Sequence, residues 1–171
     1  MKKLVLFVTL AFLTISINAQ EIHWVSFEKA IELNKANPKF ILIDIYTDWC
    51  GWCKKMDKDT YSNAVIINYI NKHYYAVKLD GEEKENITFK NHVFKFKQDG
   101  KRKYHELPAT LMSGKLSYPT TLFMNEKEEL IDKIPGYLNT ELMEKILAFH
   151  AIKDVKTKKW PAFEKNFKSK L

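Results

Sequence analysis

Cysteine is scarce in this chain, whose 171 residues include only Cys50 and Cys53. A structural zinc site would need two further ligands at suitable spacing, and Lys54 stands where haem attachment requires a histidine, so neither a metal nor another cofactor is predicted. The sequence also lacks internal repeats and low-complexity segments. Its 46% hydrophobic and 13% aromatic residues are typical of a globular protein rather than a disordered or fibrous one. The length fits one domain with additions.

The first residues have the pattern of a targeting segment. Lys2 and Lys3 precede an apolar run over 4–17, which is too short to span a bilayer securely and is followed by Asn18-Ala19-Gln20. This predicts a signal peptide over 1–19 that is cleaved near Ala19, and hence a periplasmic or cell-envelope protein. An uncleaved membrane anchor is the alternative, whereas lipid anchoring is not expected because the cut carries no cysteine.

Positive charge exceeds negative charge, with 28 basic and 21 acidic residues. Basic residues concentrate at 95–103 and in the tail over 153–170. Such patches can meet nucleic acid or acidic lipid, but an exported protein seldom encounters nucleic acid. We therefore expect a solvated basic face and no nucleic-acid partner.

The hydrophobic pattern predicts alternating strands and helices. The run over 39–46 is too apolar for a half-exposed strand and indicates a central strand buried on both faces. Ser26 is the expected N-cap of the first helix and Asn139 or Thr140 that of the helix after Gly136. Helices are expected over 27–37, 53–58, 63–72, 104–112, from 140 and from 160, and strands over 75–79, 116–124 and 129–134, with a hairpin over 87–96.

This order predicts an α/β fold with a mixed central sheet and helices on both sides. The main domain is expected over 20–150, with an insertion of a hairpin and a helix over about 81–116, and a helical extension over 151–171. In that extension Trp160, Phe163 and Phe167 share one helix face. We interpret this face as a packing stripe, with partner docking as the alternative.

The two cysteines are too close together to act as a structural staple, because a disulfide that closes so short a loop removes little chain entropy. In an oxidising compartment they are better explained as a reversible redox pair. At the start of a helix, unpaired backbone N–H groups stabilise a thiolate on Cys50, which is predicted to be the more exposed nucleophile. Cys53, one turn later, would then resolve the mixed disulfide.

The run from Ile41 to Lys54 resembles the active-site region of the thioredoxin superfamily, which implies a thioredoxin fold over about 40–150. The resemblance equates Asp44 with the family's buried carboxylate and Lys78 with the lysine that accompanies it. It also equates Tyr118-Pro119-Thr120 with the cis-proline loop, whose backbone before the proline pairs with the substrate, and Gly136 with the glycine before the last helix.

Burial of Asp44 is expected to raise its pKa, so that it exchanges a proton with Cys53; a strand-end carboxylate that reaches solvent is the alternative. Lys78 either tempers that charge or is a plain surface lysine. Trp49, Gly51 and Trp52 are predicted to contribute to the substrate surface, although Trp49 fits core packing equally well. A histidine such as His105, in the first turn of a helix, is expected to be exposed, and a catalytic role is not favoured.

Trp52 departs from the proline of ordinary thioredoxins. The run Cys-Gly-Trp-Cys-Lys-Lys-Met-Asp, the insertion and the leader are similar to exported proteins grouped with the periplasmic catalytic domain of DsbD-type interchange proteins and with cytochrome c biogenesis. This implies exported proteins with disulfides or thiols as partners and a membrane electron donor of the DsbD type. We predict a monomeric thiol:disulfide oxidoreductase that acts as a reductase. A binding module for an apocytochrome or a metal-delivery client, or a disulfide isomerase, is the alternative.

Overall fold

A computed structural model describes residues 20–151 and 159–171. The predicted leader and residues 152–158 lie outside this part of the chain. The helices are α1 (Phe27–Ala36), α2 (Gly51–Asp59), α3 (Ala64–His73), α4 (Glu106–Leu111), α5 (Thr140–His150) and α6 (Trp160–Asn166). The strands are β1 (Trp24–Val25), β2 (Phe40–Tyr46), β3 (Tyr74–Asp80), β4 (Ile87–Phe89), β5 (His92–Phe94), β6 (Phe96–Asp99), β7 (Arg102–His105), β8 (Thr120–Met124) and β9 (Leu130–Pro135).

Five strands form the central sheet in the order β1-β3-β2-β8-β9. Strands β1, β3 and β2 are parallel, whereas β8 is antiparallel to β2 and β9 is antiparallel to β8. The predicted central strand β2 is therefore confirmed, and Asp44 lies beside Lys78 of β3 on one side and Thr121 of β8 on the other.

Helices cover both faces of this sheet. Because side chains alternate along a strand, Ile41, Ile43 and Ile45 of β2 enter one apolar core while Leu42 enters the other. The first core is closed by α1 and α4, and the second by α2, α3 and α5. The predicted α/β class with a mixed sheet is confirmed, and Asp44 lies on the same face of β2 as Leu42.

Short polar side chains begin the helices where the sequence places them. Ser26 accepts a hydrogen bond from the Lys29 N–H at the start of α1, and Asn139 accepts one from Leu142 at the start of α5. The side chain of Asn63 likewise accepts hydrogen bonds from backbone N–H groups at the start of α3. The predicted bounds of α1 and α3 are correct to within a residue.

The insertion between β3 and β8 differs from the prediction, because it contains two hairpins rather than one. In the first, β4 pairs with β5 across Lys90 and Asn91, both with positive φ, as a two-residue turn requires. In the second, β6 pairs with β7 across Gly100. The predicted helix over 104–112 is wrong in its first two residues, because residues 104 and 105 pair with β6 and the helix begins at Glu106.

Three other elements refine the prediction. Strand β8 begins at Thr120 rather than Leu116, since the preceding residues form the loop that carries Pro119. The short strand β1 was not predicted. Helix α6 begins as expected, and its aromatic stripe packs on Phe149 of α5, with ring centroids of Phe149 and Phe163 5.3 Å apart. In the described part of the chain, every helix is too short or too polar to cross a membrane.

Candidate active site

The two cysteines form a disulfide at the N-terminus of α2, with Cα atoms 5.3 Å apart. Strand β2 leads directly into this turn, and the Cys50 N–H donates to the carbonyl of Thr47 at 3.0 Å. Cys50 is the N-cap of α2: its Sγ accepts a hydrogen bond from the Cys53 N–H at 3.1 Å. A backbone donor is therefore aimed at the Cys50 sulfur, as stabilisation of a thiolate requires.

The two cysteines differ less in solvent exposure than the sequence analysis predicts. In this oxidised form Cys50 is 5% exposed and Cys53 is 2% exposed. The chemical asymmetry lies instead in their positions on α2, because Cys50 caps the helix while Cys53 is already within its first turn. Gly51, the first residue of α2, is exposed, and a methyl group at its Cα would meet no atom within 4 Å. Packing therefore does not require glycine at this position.

Two exposed tryptophans flank the disulfide. Trp49 is 66% exposed and Trp52 is 60% exposed. The Trp49 ring makes an edge contact with Tyr118, with centroids 5.6 Å apart, and Trp52 lies 5.6 Å from the ring of Tyr137. Core packing of Trp49 is excluded. Large exposed apolar side chains that cluster in this way are typical of a protein contact surface.

The loop before β8 completes this surface. The Tyr118–Pro119 peptide bond is cis, and Pro119 is buried while Tyr118 is half-buried. The hydrogen bonds found within residues 20–151 and 159–171 include none to the backbone N–H or C=O of Tyr118. These two groups are thus free to pair with an added strand.

A buried ionic cluster lies behind the disulfide helix. Asp44, 1% exposed, accepts a hydrogen bond from Lys78 Nζ at 2.7 Å through Oδ2. Its Oδ1 is buried and has no hydrogen-bond partner among the described residues. Lys78 also pairs with Asp57 on α2, which is largely exposed. Lys78 therefore bridges the strand carboxylate to a carboxylate at the surface.

Burial is the main influence on Asp44 and raises its pKa to about 6. The attraction of Lys78 opposes this rise, while the negative charge of Asp57 adds to it. The alternative of a solvent-exposed Asp44 and a plain surface Lys78 is thus excluded. The ammonium of Lys78 also lies 5.0 Å from the centre of the Tyr46 ring and 5.3 Å from that of Trp24.

A glycine joins the insertion to the active-site strand. The Gly81 N–H donates to the carbonyl of Tyr46, at the end of β2, and the Gly81 carbonyl accepts from the His105 N–H, each at 2.7 Å. A methyl group on Gly81 would lie 2.4 Å from Tyr118 Oη. His105 itself is fully buried, contrary to expectation, because it is the last residue of β7 and the N-cap of α4. Burial lowers its pKa.

The structure thus brings together all nine predicted site residues in two groups. Two of them form the disulfide, and five lie beside it at the start of α2 or in the cis-proline loop. The other two, Asp44 and Lys78, pair with each other, and Lys78 also contacts Asp57 of α2. Three contributors were missed: Asp57, Gly81 and Tyr137. The first ends the Cys-Gly-Trp-Cys-Lys-Lys-Met-Asp run four residues after Cys53, a spacing that places both on one side of a helix and was a usable signal. The others are defined by contacts between distant parts of the chain.

The mixed sheet, the disulfide at a helix N-terminus and the loop with a cis-proline place this chain in the class of thioredoxin-fold proteins that carry a cysteine pair at the start of a helix. The profile of the family Thioredox_DsbH, described as "Protein of unknown function, DUF255", matches residues 9–170, and the chain belongs to that family.

Two relatives with descriptive names match parts of the sequence. A stretch of 67 residues is 28% identical to the thiol:disulfide interchange protein DsbD of Pseudoalteromonas atlantica, covering 39% of this chain and 11% of that protein. A stretch of 71 residues is 30% identical to the disulfide bond reductase DsbH of Chlamydia pneumoniae, covering 41% of this chain and 43% of that protein. The matches therefore span less than half the length of either relative.

Solved structures agree in fold. A structure of a DsbH oxidoreductase superposes with a TM-score of 0.55 at 16% identity, covering 92% of this chain and 96% of that one. A thioredoxin-fold protein from Helicobacter pylori gives a TM-score of 0.58 at 18% identity, covering 75% and 84%. The predicted thioredoxin fold and the family resemblance are confirmed.

Proposed function

We propose that this protein is an exported dithiol reductase that reduces disulfides in other proteins of the cell envelope. The observation that carries the proposal is the Cys50–Cys53 pair at the N-terminus of α2, set between two exposed tryptophans and beside the cis-proline loop. The names of the relatives DsbD and DsbH support it.

Reduction begins with the dithiol form. The Cys50 thiolate, stabilised by the Cys53 N–H and the start of α2, attacks one sulfur of a client disulfide. A bond forms between Cys50 Sγ and that sulfur, the client S–S bond breaks, and the other client sulfur leaves as a thiolate that takes a proton. The product is a mixed disulfide.

Resolution follows from Cys53. Its thiol loses a proton, for which the buried carboxylate of Asp44 is the proposed acceptor, and its sulfur attacks Cys50 Sγ. The Cys50–Cys53 bond forms and the second client sulfur leaves, so that two electrons have passed from the protein to the client. A pKa of about 6 lets Asp44 accept and release protons near neutral pH. Lys78 and Asp57 would connect it to solvent.

The direction of electron flow is inferred from the absence of charge at the first three residues of α2. Oxidants of this fold stabilise their reduced form strongly, and a positive charge beside the nucleophile is one way to do so. Residues 51–53, the first turn of α2, carry no charge. A modest stabilisation of the Cys50 thiolate favours a reductant.

Export and partners follow from the predicted leader and from the family resemblance. A cleaved leader over 1–19 would deliver the chain to the envelope, where disulfides persist and clients are available. The dithiol must then be regenerated by a membrane donor of the DsbD type, since the envelope lacks the reducing pools of the cytosol.

Insulin reduction in the presence of dithiothreitol tests the activity. The mature chain should accelerate precipitation of the insulin B chain, and the variant Cys50→Ser, Cys53→Ser should not. Equal rates for the two proteins would overturn the proposal. Equilibration with glutathione, read by alkylation of the pair, then tests direction, and a potential close to that of strong oxidants would contradict a reductase.

A further inference from the structure

The hairpin of β6 and β7 carries a basic cluster beside the redox site. Lys101, Arg102 and Lys103, hereafter the hairpin cations, are exposed. They line one side of an open cleft of about 380 Å³, and its other walls are formed by Trp49, Glu82, Leu116, Ser117 and Tyr118. The cleft thus runs between the hairpin, the residue before the nucleophile and the residue before the cis-proline.

Positive charge exceeds negative charge in the lining of this cleft, which contains three cations and one carboxylate. Within residues 20–151 and 159–171, no carboxylate lies within 4.0 Å of a hairpin cation, whereas Lys97 of the same hairpin pairs with Glu106 at 3.2 Å. The single carboxylate that lines the cleft, Glu82, accepts a hydrogen bond from the Trp49 indole N–H at 3.0 Å. The three cations therefore outnumber the one carboxylate in the cleft lining, and none of them forms an ion pair with it in the described structure.

The hairpin also has a fixed position relative to the disulfide. The hydrogen bonds of Gly81 to Tyr46 and His105 tie the end of β7 to the end of β2. The guanidinium of Arg102 lies over the ring of Tyr104, 5.3 Å from its centre, so that its range of orientations is restricted. A charge held in this way provides directional selectivity that a mobile tail would not.

We propose that the hairpin cations and Trp49 form a client subsite that selects polypeptide segments with Asp or Glu close to the cysteine under attack. The inference rests on the proposed function, because Tyr118, whose backbone groups would pair with a client chain, is one of the residues that line this cleft. Each exposed charge contact contributes little, so the three together should change client preference by about tenfold at low ionic strength.

Two fluorogenic peptides test the subsite. Each is closed by one internal disulfide, and they differ only in having Glu or Lys on both sides of the cysteines. The ratio of kcat/KM for the Glu peptide to that for the Lys peptide, corrected for the rate with dithiothreitol alone, is the readout. In the wild type this ratio should favour the Glu peptide and should fall as salt is raised from about 20 mM to about 500 mM.

The variant Lys101→Glu, Arg102→Glu, Lys103→Glu should lower the ratio by about tenfold or more, and the corresponding triple Gln variant should give an intermediate value. The matched control, Lys159→Glu, Lys165→Glu, Lys168→Glu, makes the same change of charge around α6. It should leave the ratio near that of the wild type.

Three outcomes would overturn the inference. An unchanged ratio in both hairpin variants would show that the cations do not contact clients. An equal fall in the control would assign the effect to net charge. Hairpin-dependent flotation with phosphatidylglycerol vesicles, together with an unchanged peptide ratio, would assign the cluster to a lipid surface. Failure of the wild type to reduce either peptide is a different result: it would overturn the proposed function itself.

Discussion

Replacing Asp44 by asparagine should stabilise the folded protein at neutral and alkaline pH. Burial raises the pKa of this carboxyl from 3.8 to about 6. Ionisation of such a group costs the folded state about 3 kcal/mol, at about 1.4 kcal/mol per pH unit. Asparagine has a similar shape and carries no charge. Lys78 would keep its contact with Asp57 and its partial exposure, so the substitution leaves no isolated buried charge.

The pH dependence fixes the sign of the effect. Between pH 3.8 and about 6 the folded state binds more protons at Asp44 than the unfolded state does, so this group lowers stability as pH rises through that range. The advantage of Asp44→Asn should therefore grow from less than about 1 kcal/mol at pH 4 to about 3 kcal/mol above pH 7.

Urea denaturation of the oxidised protein, followed by tryptophan fluorescence at about pH 4, 5.5 and 7.5 and constant ionic strength, measures this difference. Asp99→Asn, which removes an exposed carboxylate from β6, is the matched control and should show no comparable gain. An advantage of Asp44→Asn that does not change with pH, or a loss of stability at pH 7.5, would refute the reasoning.

Three further predictions concern the disulfide, the surface carboxylate and the anchoring glycine. Cys53→Ser should trap clients as mixed disulfides on non-reducing gels because attack proceeds and resolution cannot, whereas Cys50→Ser should trap few; equal trapping would contradict the assigned roles. Asp57→Asn should lower the pKa of Asp44 by removing a nearby negative charge. The decrease in stability that accompanies ionisation of Asp44 should therefore occur at lower pH in this variant than in the wild type, and the same pH for both proteins would show that Asp57 does not influence Asp44. Gly81→Ala should slow insulin reduction by displacing the ring of Tyr118, and the loss should disappear in a Tyr118→Ala background if that clash is its cause.

Features encoded within a short stretch of sequence were predictable. The run of β-branched residues over 39–46 identified the central strand, and the cysteine spacing identified the turn that follows it. Asp44 and Lys78 were paired only through the family resemblance, since they are 34 residues apart. In the structure adjacent parallel strands place them in register, which hydrophobic periodicity along one segment does not reveal.

Features created by contacts across the fold were not predictable in this way. The second hairpin had a local signal, because glycine is frequent at the first position of a two-residue hairpin turn, here Gly100-Lys101. The charged residues around this turn, however, lack the alternation that marks a strand. His105 was expected to be exposed because it was placed in the first turn of a helix. Its burial follows from the insertion, which folds back onto Gly81. The basic residues at 101–103 were interpreted as a solvated face. Their position next to Trp49 could not be predicted, because it depends on the folding of the insertion.

The attachment of the insertion has a consequence for how such proteins diversify. Gly81 holds the hairpin to the end of β2 through main-chain groups, so the tether depends on backbone geometry and not on the side chains at the hairpin tip. Evolution or an engineer can therefore exchange the tip residues without altering the redox centre, much as loops are exchanged on an immunoglobulin framework. The fold thus separates the residues of the redox centre from the residues at the hairpin tip, which can be substituted independently.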